Sequence, residues 1–111
     1  MAEGIGRIKV RIPQSISKGE VISIKALITH PMDTGLIKDK KTGQIIPAHY
    51  INAVDVYYGG THITHCDWTY AVSTNPFMAF YIKADKAAPL KIVYKDNKGG
   101  VWEETVQINP K

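Results

Sequence analysis

Apolar residues recur at every second position along most of this chain, and that spacing constrains the fold more than any other feature. Ile22, Ile24, Ala26 and Ile28 show the pattern, because side chains two residues apart lie on one face of a β-strand. Alternation also marks residues 7–12, 45–58, 61–70, 77–84, 89–95 and 101–108. Convincing 3.6-residue periodicity is missing throughout. We therefore expect roughly seven or eight strands in an all-β, immunoglobulin-like antiparallel β-sandwich.

Length, charge and cysteine content limit the classes of function. The 111 residues suffice for a single domain, residues 1–111, with an ordinary core. A net charge of +4 is too small and too dispersed for a nucleic-acid-binding protein. The one cysteine excludes an internal disulfide, and no apolar run is long enough for a transmembrane helix. The N-terminus lacks the charged and apolar regions of a signal peptide, so taken alone the sequence suggests a cytoplasmic protein.

The strand that contains Ile28 is followed by a polar turn that begins at His30 and Pro31. Pro31 lacks the N–H that a strand ladder needs. We expect Met32 to present an exposed thioether, which suits an adaptable interface. Two interpretations of His30 remain open, a hydrogen bond to a loop carbonyl or contact with a partner. Asp33 is expected to bond nearby backbone as a turn former.

Strand direction predicts which loops lie together. If residues 45–58 form one strand, antiparallel connectivity places the loops 31–44, 71–76 and 96–100 at the same end of the sandwich. If Pro47 instead marks a hairpin, that convergence is lost. The predicted partner interface at this end comprises His30, Pro31, Met32, Asp33, Gly35, Ser73, Asn75 and Pro76.

The cluster at residues 62–66 is the one candidate for catalysis or metal binding. On a regular strand His62 and Cys66 share a face while His65 points the other way. The two same-face residues are too far apart to ligate one zinc ion unless the strand bulges. Cys66 has two open interpretations, a small apolar core residue or a reactive thiol. The alternative function is therefore a thiol- or metal-dependent redox protein that uses Cys66 with His62 or His65.

Four segments of the chain resemble the SoxZ family, subunits of the bacterial sulfur-oxidation (Sox) carrier complex. They are residues 26–35 (Ala-Leu-Ile-Thr-His-Pro-Met-Asp-Thr-Gly), 43–47, 73–80 and 94–99. Position 94 is tyrosine where we expect tryptophan in the family. The first segment is the most specific of the four.

The resemblance implies a non-catalytic subunit with no cofactor and no metal. It implies a heterodimer with SoxY, whose cysteine carries sulfur intermediates of thiosulfate oxidation on a mobile C-terminal arm. The segment Val106–Lys111 does not resemble such an arm, which assigns this chain the scaffolding role and a share in the docking surface for other Sox enzymes. It also implies a periplasmic location, reached by export with a signal-bearing partner. We further expect the isolated chain to self-associate through the surface that its partner would cover.

Overall fold

The computed structural model describes residues 6–36, 38–69, 72 and 74–111. This part of the chain forms seven strands: β1 (Ile8–Arg11), β2 (Glu20–Ile28), β3 (Ile51–Tyr58), β4 (Thr61–Asp67), β5 (Phe77–Ala84), β6 (Ala88–Asp96) and β7 (Val101–Ile108). They pair in a three-stranded sheet of order β1-β2-β5 and a four-stranded sheet of order β4-β3-β6-β7. All of the pairings are antiparallel. The predicted all-β, immunoglobulin-like sandwich is confirmed.

The core lies between the two sheets and is built from the alternating residues. Ile22, Ile24, Ala26 and Ile28 are all buried, whereas Lys25 between them is exposed. The opposite sheet contributes the buried residues Val54, Val56, Leu90, Ile92 and Tyr94. Each fully buried aliphatic side chain stabilises the fold by about 1.5–3 kcal/mol. The two-residue period therefore specifies both the strands and the face that each one buries.

The segment before β3 differs from the prediction. The sequence predicts extended structure over residues 45–58 with an interruption near Pro47, but β3 begins only at Ile51. Residues 45–50 instead lie against the preceding loop through two isolated bridges, Asp33 with His49 and Lys38 with Ile45. The described residues between positions 31 and 50 thus fold back on themselves as one long loop, which we call the 31–50 loop. Two residues of its second half, Ile45 and His49, therefore pair with its first half.

No helix long and apolar enough to cross a membrane occurs in the part of the chain that the structure describes.

Candidate functional site

Loops from three parts of the chain meet beyond the end of β2. The backbone amide of Asn75 donates to the carbonyl of His30 at 2.8 Å, and the amide of His30 donates to Asn75 Oδ1 at 2.9 Å. Thr74 Oγ1 donates to the carbonyl of Pro31 at 3.0 Å. The side chain of Asp96 reaches this end from the third loop. The convergence predicted from strand direction is therefore confirmed, and we call this region the loop end.

A buried carboxylate joins two of these loops. Asp96 Oδ1 accepts the backbone amides of Lys98 at 3.0 Å and Gly100 at 2.7 Å, which closes the β6–β7 turn. Its Oδ2 lies 3.1 Å from Nε2 of His30 and 2.6 Å from Nε2 of His49. The carboxylate is only 1% exposed. We call His30, His49 and Asp96 the loop-end clamp, because one carboxylate connects the end of β2, the 31–50 loop and the β6–β7 turn.

The hydrogen bonds of His30 fix the position of its ring proton. The backbone amide of Met32 donates to Nδ1 at 3.1 Å, so Nδ1 carries no proton. In the neutral ring the proton is then on Nε2, which donates it to Asp96. A metal ion on Nε2 would require both ring nitrogens to be unprotonated. The loop-end clamp is consequently a hydrogen-bonded structural unit, although its three side chains have the composition of a metal site.

The pKa values agree with this assignment. Burial lowers the pKa of His30 below its ordinary value, which favours the neutral ring. Burial alone would raise the pKa of Asp96, but hydrogen bonds from His30, His49 and the two turn amides together lower it. The clamp therefore pairs an ionised carboxylate with a neutral His30 near neutral pH.

Several predicted interface residues of the loop end lie below its surface. The expectation that Met32 is exposed is wrong, since only 4% of it is accessible. Its sulfur lies 3.3 Å from the backbone nitrogen of Ile51, so the thioether packs against the start of β3. The His30 ring is fully buried and contacts a carboxylate, not the loop carbonyl of the first interpretation. Pro76 is also buried.

The other predicted interface residues that the structure describes are at least partly accessible to solvent. Pro31, Asp33 and Gly35 are partly exposed, and Asn75 is exposed. Ser73 lies outside the described residues. Contact of these residues with a partner stays a prediction.

A second cluster of histidine and aspartate lies on the outer face of the four-stranded sheet. Oδ1 of Asp55 in β3 is 2.9 Å from Nε2 of His62 and 2.6 Å from Nδ1 of His65, both in β4. Nε2 of His65 is 2.7 Å from Oδ1 of Asp67. The two imidazole side chains are 48% and 42% exposed, respectively, and the Asp55 side chain 13%. We call Asp55, His62 and His65 the outer-face cluster.

A β-bulge creates this cluster. Val56 pairs with Thr64 but Tyr57 pairs with His62, so Ile63 is an extra residue in β4. The bulge reverses the alternation between residues 62 and 65. The prediction that His65 points away from His62 was therefore wrong. No sequence signal marks a bulge here, since β-branched Ile63 is an ordinary strand residue.

Hydrogen bonds within the outer-face cluster shift the pKa values of Asp55 and His65 in opposite directions. The hydrogen bond with His65 is the main cause that lowers the pKa of Asp55. In return, hydrogen bonds with Asp55 and then Asp67 raise the pKa of His65. The cluster is thus an exposed set of groups that can exchange protons with solvent.

Cys66 belongs to the other face of β4. It is opposite buried Val54 in the register of β3 and β4, and its side chain packs against the core. This placement favours the core-packing interpretation of the thiol. The thiol and the imidazoles of His62 and His65 lie on opposite faces of the sheet, so the pairing required by the alternative redox function is not formed.

The fold and loop end define a small β-sandwich protein in which the His and Asp side chains at the converging loops have a structural role. The model of the family described as "Sulphur oxidation protein SoxZ" matches residues 10–107. The chain belongs to the SoxZ family and is a subunit of the Sox system. No curated protein matches the sequence.

Solved structures share the architecture at low sequence identity. A superoxide reductase (neelaredoxin) from Ignicoccus hospitalis superposes with a TM-score of 0.74 and 14% identity, covering 98% of this chain and 83% of that one. A hypothetical protein from Pyrococcus horikoshii OT3 superposes with a TM-score of 0.66 and 20% identity, covering 98% of this chain and 93% of that one. The sulfur carrier protein SoxY from Chlorobium limicola f thiosulfatophilum superposes with a TM-score of 0.59 and 8% identity, covering 90% of this chain and 71% of that one. These identities show a common fold only.

Proposed function

We propose that this chain is a non-catalytic subunit that forms a heterodimer with a SoxY-like sulfur-carrier chain. In thiosulfate oxidation it would stabilise the partner, whose cysteine holds the sulfur intermediates, and would help form the docking surface for other Sox enzymes. Membership of the SoxZ family supports this role.

The observation that carries the proposal is the rigid loop end. Both ring nitrogens of His30 and both carboxylate oxygens of Asp96 are occupied by hydrogen bonds. These groups therefore fix loop positions instead of offering free catalytic atoms. A surface that is already ordered loses less conformational freedom when a partner binds. This property suits a scaffold that presents a constant docking surface.

Exposed apolar residues on the 31–50 loop support contact with a partner. Leu36 is 75% exposed and Ile45 is 57% exposed. The bridge between Lys38 and Ile45 joins the two halves of the loop near these side chains. Exposed apolar surface on a subunit is a feature of protein–protein contacts. We propose that the SoxY-like chain covers this loop together with the exposed part of the loop end.

One pair of variants tests where the partner binds. Leu36→Asp places a charge in the proposed contact, and Val21→Asp places it on an equally apolar side chain, 64% exposed, at the start of β2. We expect Leu36→Asp to weaken association with the SoxY-like chain at least tenfold, because the charge must be desolvated without a partner. Val21→Asp should bind within threefold of wild type. The association constants would be measured by calorimetry after circular dichroism has verified both folds.

The opposite ranking of the two variants would place the interface at the other end of the sandwich. Failure of the wild-type chain to bind a SoxY-like chain would contradict the heterodimer itself. Sedimentation of the isolated chain would test the related proposal that it self-associates and that the carrier chain displaces the second copy. A monomer at high concentration would contradict self-association.

We also propose a periplasmic location, reached by export together with the signal-bearing partner. The support is the resemblance to SoxZ subunits. Cell fractionation with and without the partner tests it. The chain should be periplasmic only when the partner is co-expressed, and export of the chain alone would contradict co-export.

A further inference from the structure

We propose that the outer-face cluster binds a divalent transition-metal ion, with Asp55 Oδ1, His62 Nε2 and His65 Nδ1 as its protein ligands. The three ligand atoms lie within 4.8 Å of one another. Imidazole nitrogen combined with carboxylate oxygen suits Zn²⁺ and its first-row neighbours. The inference depends on this geometry and not on the proposed partner.

The distances between ligand atoms are close to those of a metal site. Zn–N and Zn–O bonds of about 2.0–2.2 Å place neighbouring tetrahedral ligand atoms roughly 3.3–3.5 Å apart. The two imidazole nitrogens are 2.9 and 2.6 Å from Asp55 Oδ1. On binding, each of these two nitrogen–oxygen distances has to lengthen by less than about 1 Å. The side chains of His62 and His65 are 48% and 42% exposed, which leaves one side of each ring open to solvent for that adjustment.

Asp67 lies where it would orient a metal-bound His65. Its Oδ1 is 2.7 Å from Nε2 of His65. A metal-bound histidine commonly donates its other N–H to a carboxylate, which fixes the tautomer and the ring orientation. With the proton on Nε2, Nδ1 of His65 has a lone pair directed at Asp55 and the proposed metal position. Asp67 is thus a positioning residue that acts through His65.

The contrast with the loop-end clamp strengthens the assignment. In the clamp a backbone amide donates to His30 Nδ1, which forces the proton onto the nitrogen that faces Asp96. In the outer-face cluster the ligating nitrogens face only a carboxylate oxygen in the contacts that the structure describes. A metal ion can replace those protons without leaving a buried amide unpaired.

The bulge and a neighbouring ring orient the third ligand. The extra residue Ile63 turns His62 to the outer face, as β-bulges do when they redirect a side chain. The Tyr57 ring packs against the His62 ring with centroids 5.0 Å apart. Three protein ligands on an exposed face leave further coordination positions for water or another small ligand.

Calorimetric titration with Zn²⁺ on the chelator-treated chain tests the proposal. We expect saturable binding of one equivalent at micromolar concentrations. Asp55→Asn and His65→Gln should each lower the affinity at least tenfold, because the first replaces a charged oxygen ligand with a neutral amide and the second removes an imidazole ligand. Asp67→Asn should lower it by roughly 10- to 100-fold through the orientation of His65. Circular dichroism of each variant would show that the sandwich remains folded.

Two matched controls separate this site from the other candidate groups. Cys66→Ser tests whether the thiol on the inner face is a ligand, and His49→Gln tests the loop-end clamp. Both should keep the wild-type affinity, and the Co²⁺ complex should lack a thiolate charge-transfer band. Absence of saturable binding in the wild type overturns the proposal. Unchanged affinity in Asp55→Asn and His65→Gln, or loss of binding in Cys66→Ser, overturns it as well.

Discussion

Two clusters in this protein have the same composition, two histidines and one aspartate, but they lie in opposite environments. In the loop-end clamp the side chains of His30, His49 and Asp96 are 0%, 16% and 1% exposed. In the outer-face cluster Asp55 is 13% exposed and both imidazoles more than 40%. The clamp uses its hydrogen bonds to join loops, whereas the exposed cluster leaves its nitrogens accessible. Residue type alone therefore does not distinguish a structural cluster from a binding site.

Burial also gives the two clusters opposite protonation behaviour. The pKa of His30 is lowered chiefly because the ring is removed from water. The pKa of His65 is raised because two carboxylates accept its N–H groups at the surface. The difference follows from competition between desolvation and hydrogen bonding to the charged form.

The largest expected effect comes from removing the aspartate of the loop-end clamp, with the aspartate of the outer-face cluster as the comparison. Asp96→Ala should lower the free energy of unfolding by about 3–5 kcal/mol, because it leaves buried amide and imidazole donors unpaired. Asp55→Ala should lower the free energy of unfolding by less than about 1 kcal/mol, since water can hydrogen-bond the exposed imidazoles of His62 and His65 in place of the carboxylate. Urea denaturation of both variants measures the difference. Equal losses would show that the two clusters are energetically alike.

A charge at Met32 tests whether the loop end is packed as tightly as the clamp implies. Met32→Asp should destabilise the isolated chain by about 2–4 kcal/mol, because the carboxylate is buried without a partner. Met32→Leu keeps an apolar side chain of similar volume and should cost less than about 1.5 kcal/mol. Thermal melts of the isolated chain provide the measurement. An unchanged melting temperature in Met32→Asp would instead support the original expectation of an exposed thioether.

The stability contributed by His30 and by His65 should change in opposite directions with pH. The lowered pKa of His30 gives stability that is present above its ordinary pKa of 6.5 and lost as pH falls through the folded value. The raised pKa of His65 gives stability that is present below 6.5 and lost as pH rises through its folded value. His65→Gln should therefore lose stability more steeply than wild type on acidification from about pH 7.5 to about pH 5.5. Chemical denaturation in the presence of a chelator would show this, and parallel profiles would contradict it.

The smallest expected effect concerns the buried hydroxyl of Tyr94, which lacks a hydrogen-bond partner in the described part of the chain, in contrast to the buried groups of the loop-end clamp. The hydroxyl of Tyr94 is buried and has no hydrogen-bond partner among the described residues, and burial raises its pKa. Tyr94→Phe removes the unpaired hydroxyl and keeps the ring that packs near Trp68. We expect no loss of stability and a gain of up to about 1 kcal/mol. A clear loss in urea denaturation would indicate an unrecognised partner.

Local sequence pattern predicted most of the fold but less of the candidate sites. Alternation identified the strands because burial of one strand face depends only on residue spacing. It placed the start of the extended segment too early, because the spacing of apolar residues does not reveal that residues 45 and 49 pair with residues 38 and 33. Strand direction predicted the meeting of the loops, but not that Asp96 would bind both His30 and His49.

The sequence by itself determined the all-β architecture and the family, since both depend on residue order and short-range spacing. Tertiary structure alone decided that Met32 is buried in the core and that Cys66 faces it. It also decided that one bulged residue, Ile63, brings His62 to the same face as Asp55 and His65. Strand periodicity gives the face of a side chain only while the pairing register is regular, and register is fixed by neighbouring strands. Burial and proton position in turn depend on groups distant in sequence, as the 66-residue separation of His30 and Asp96 illustrates.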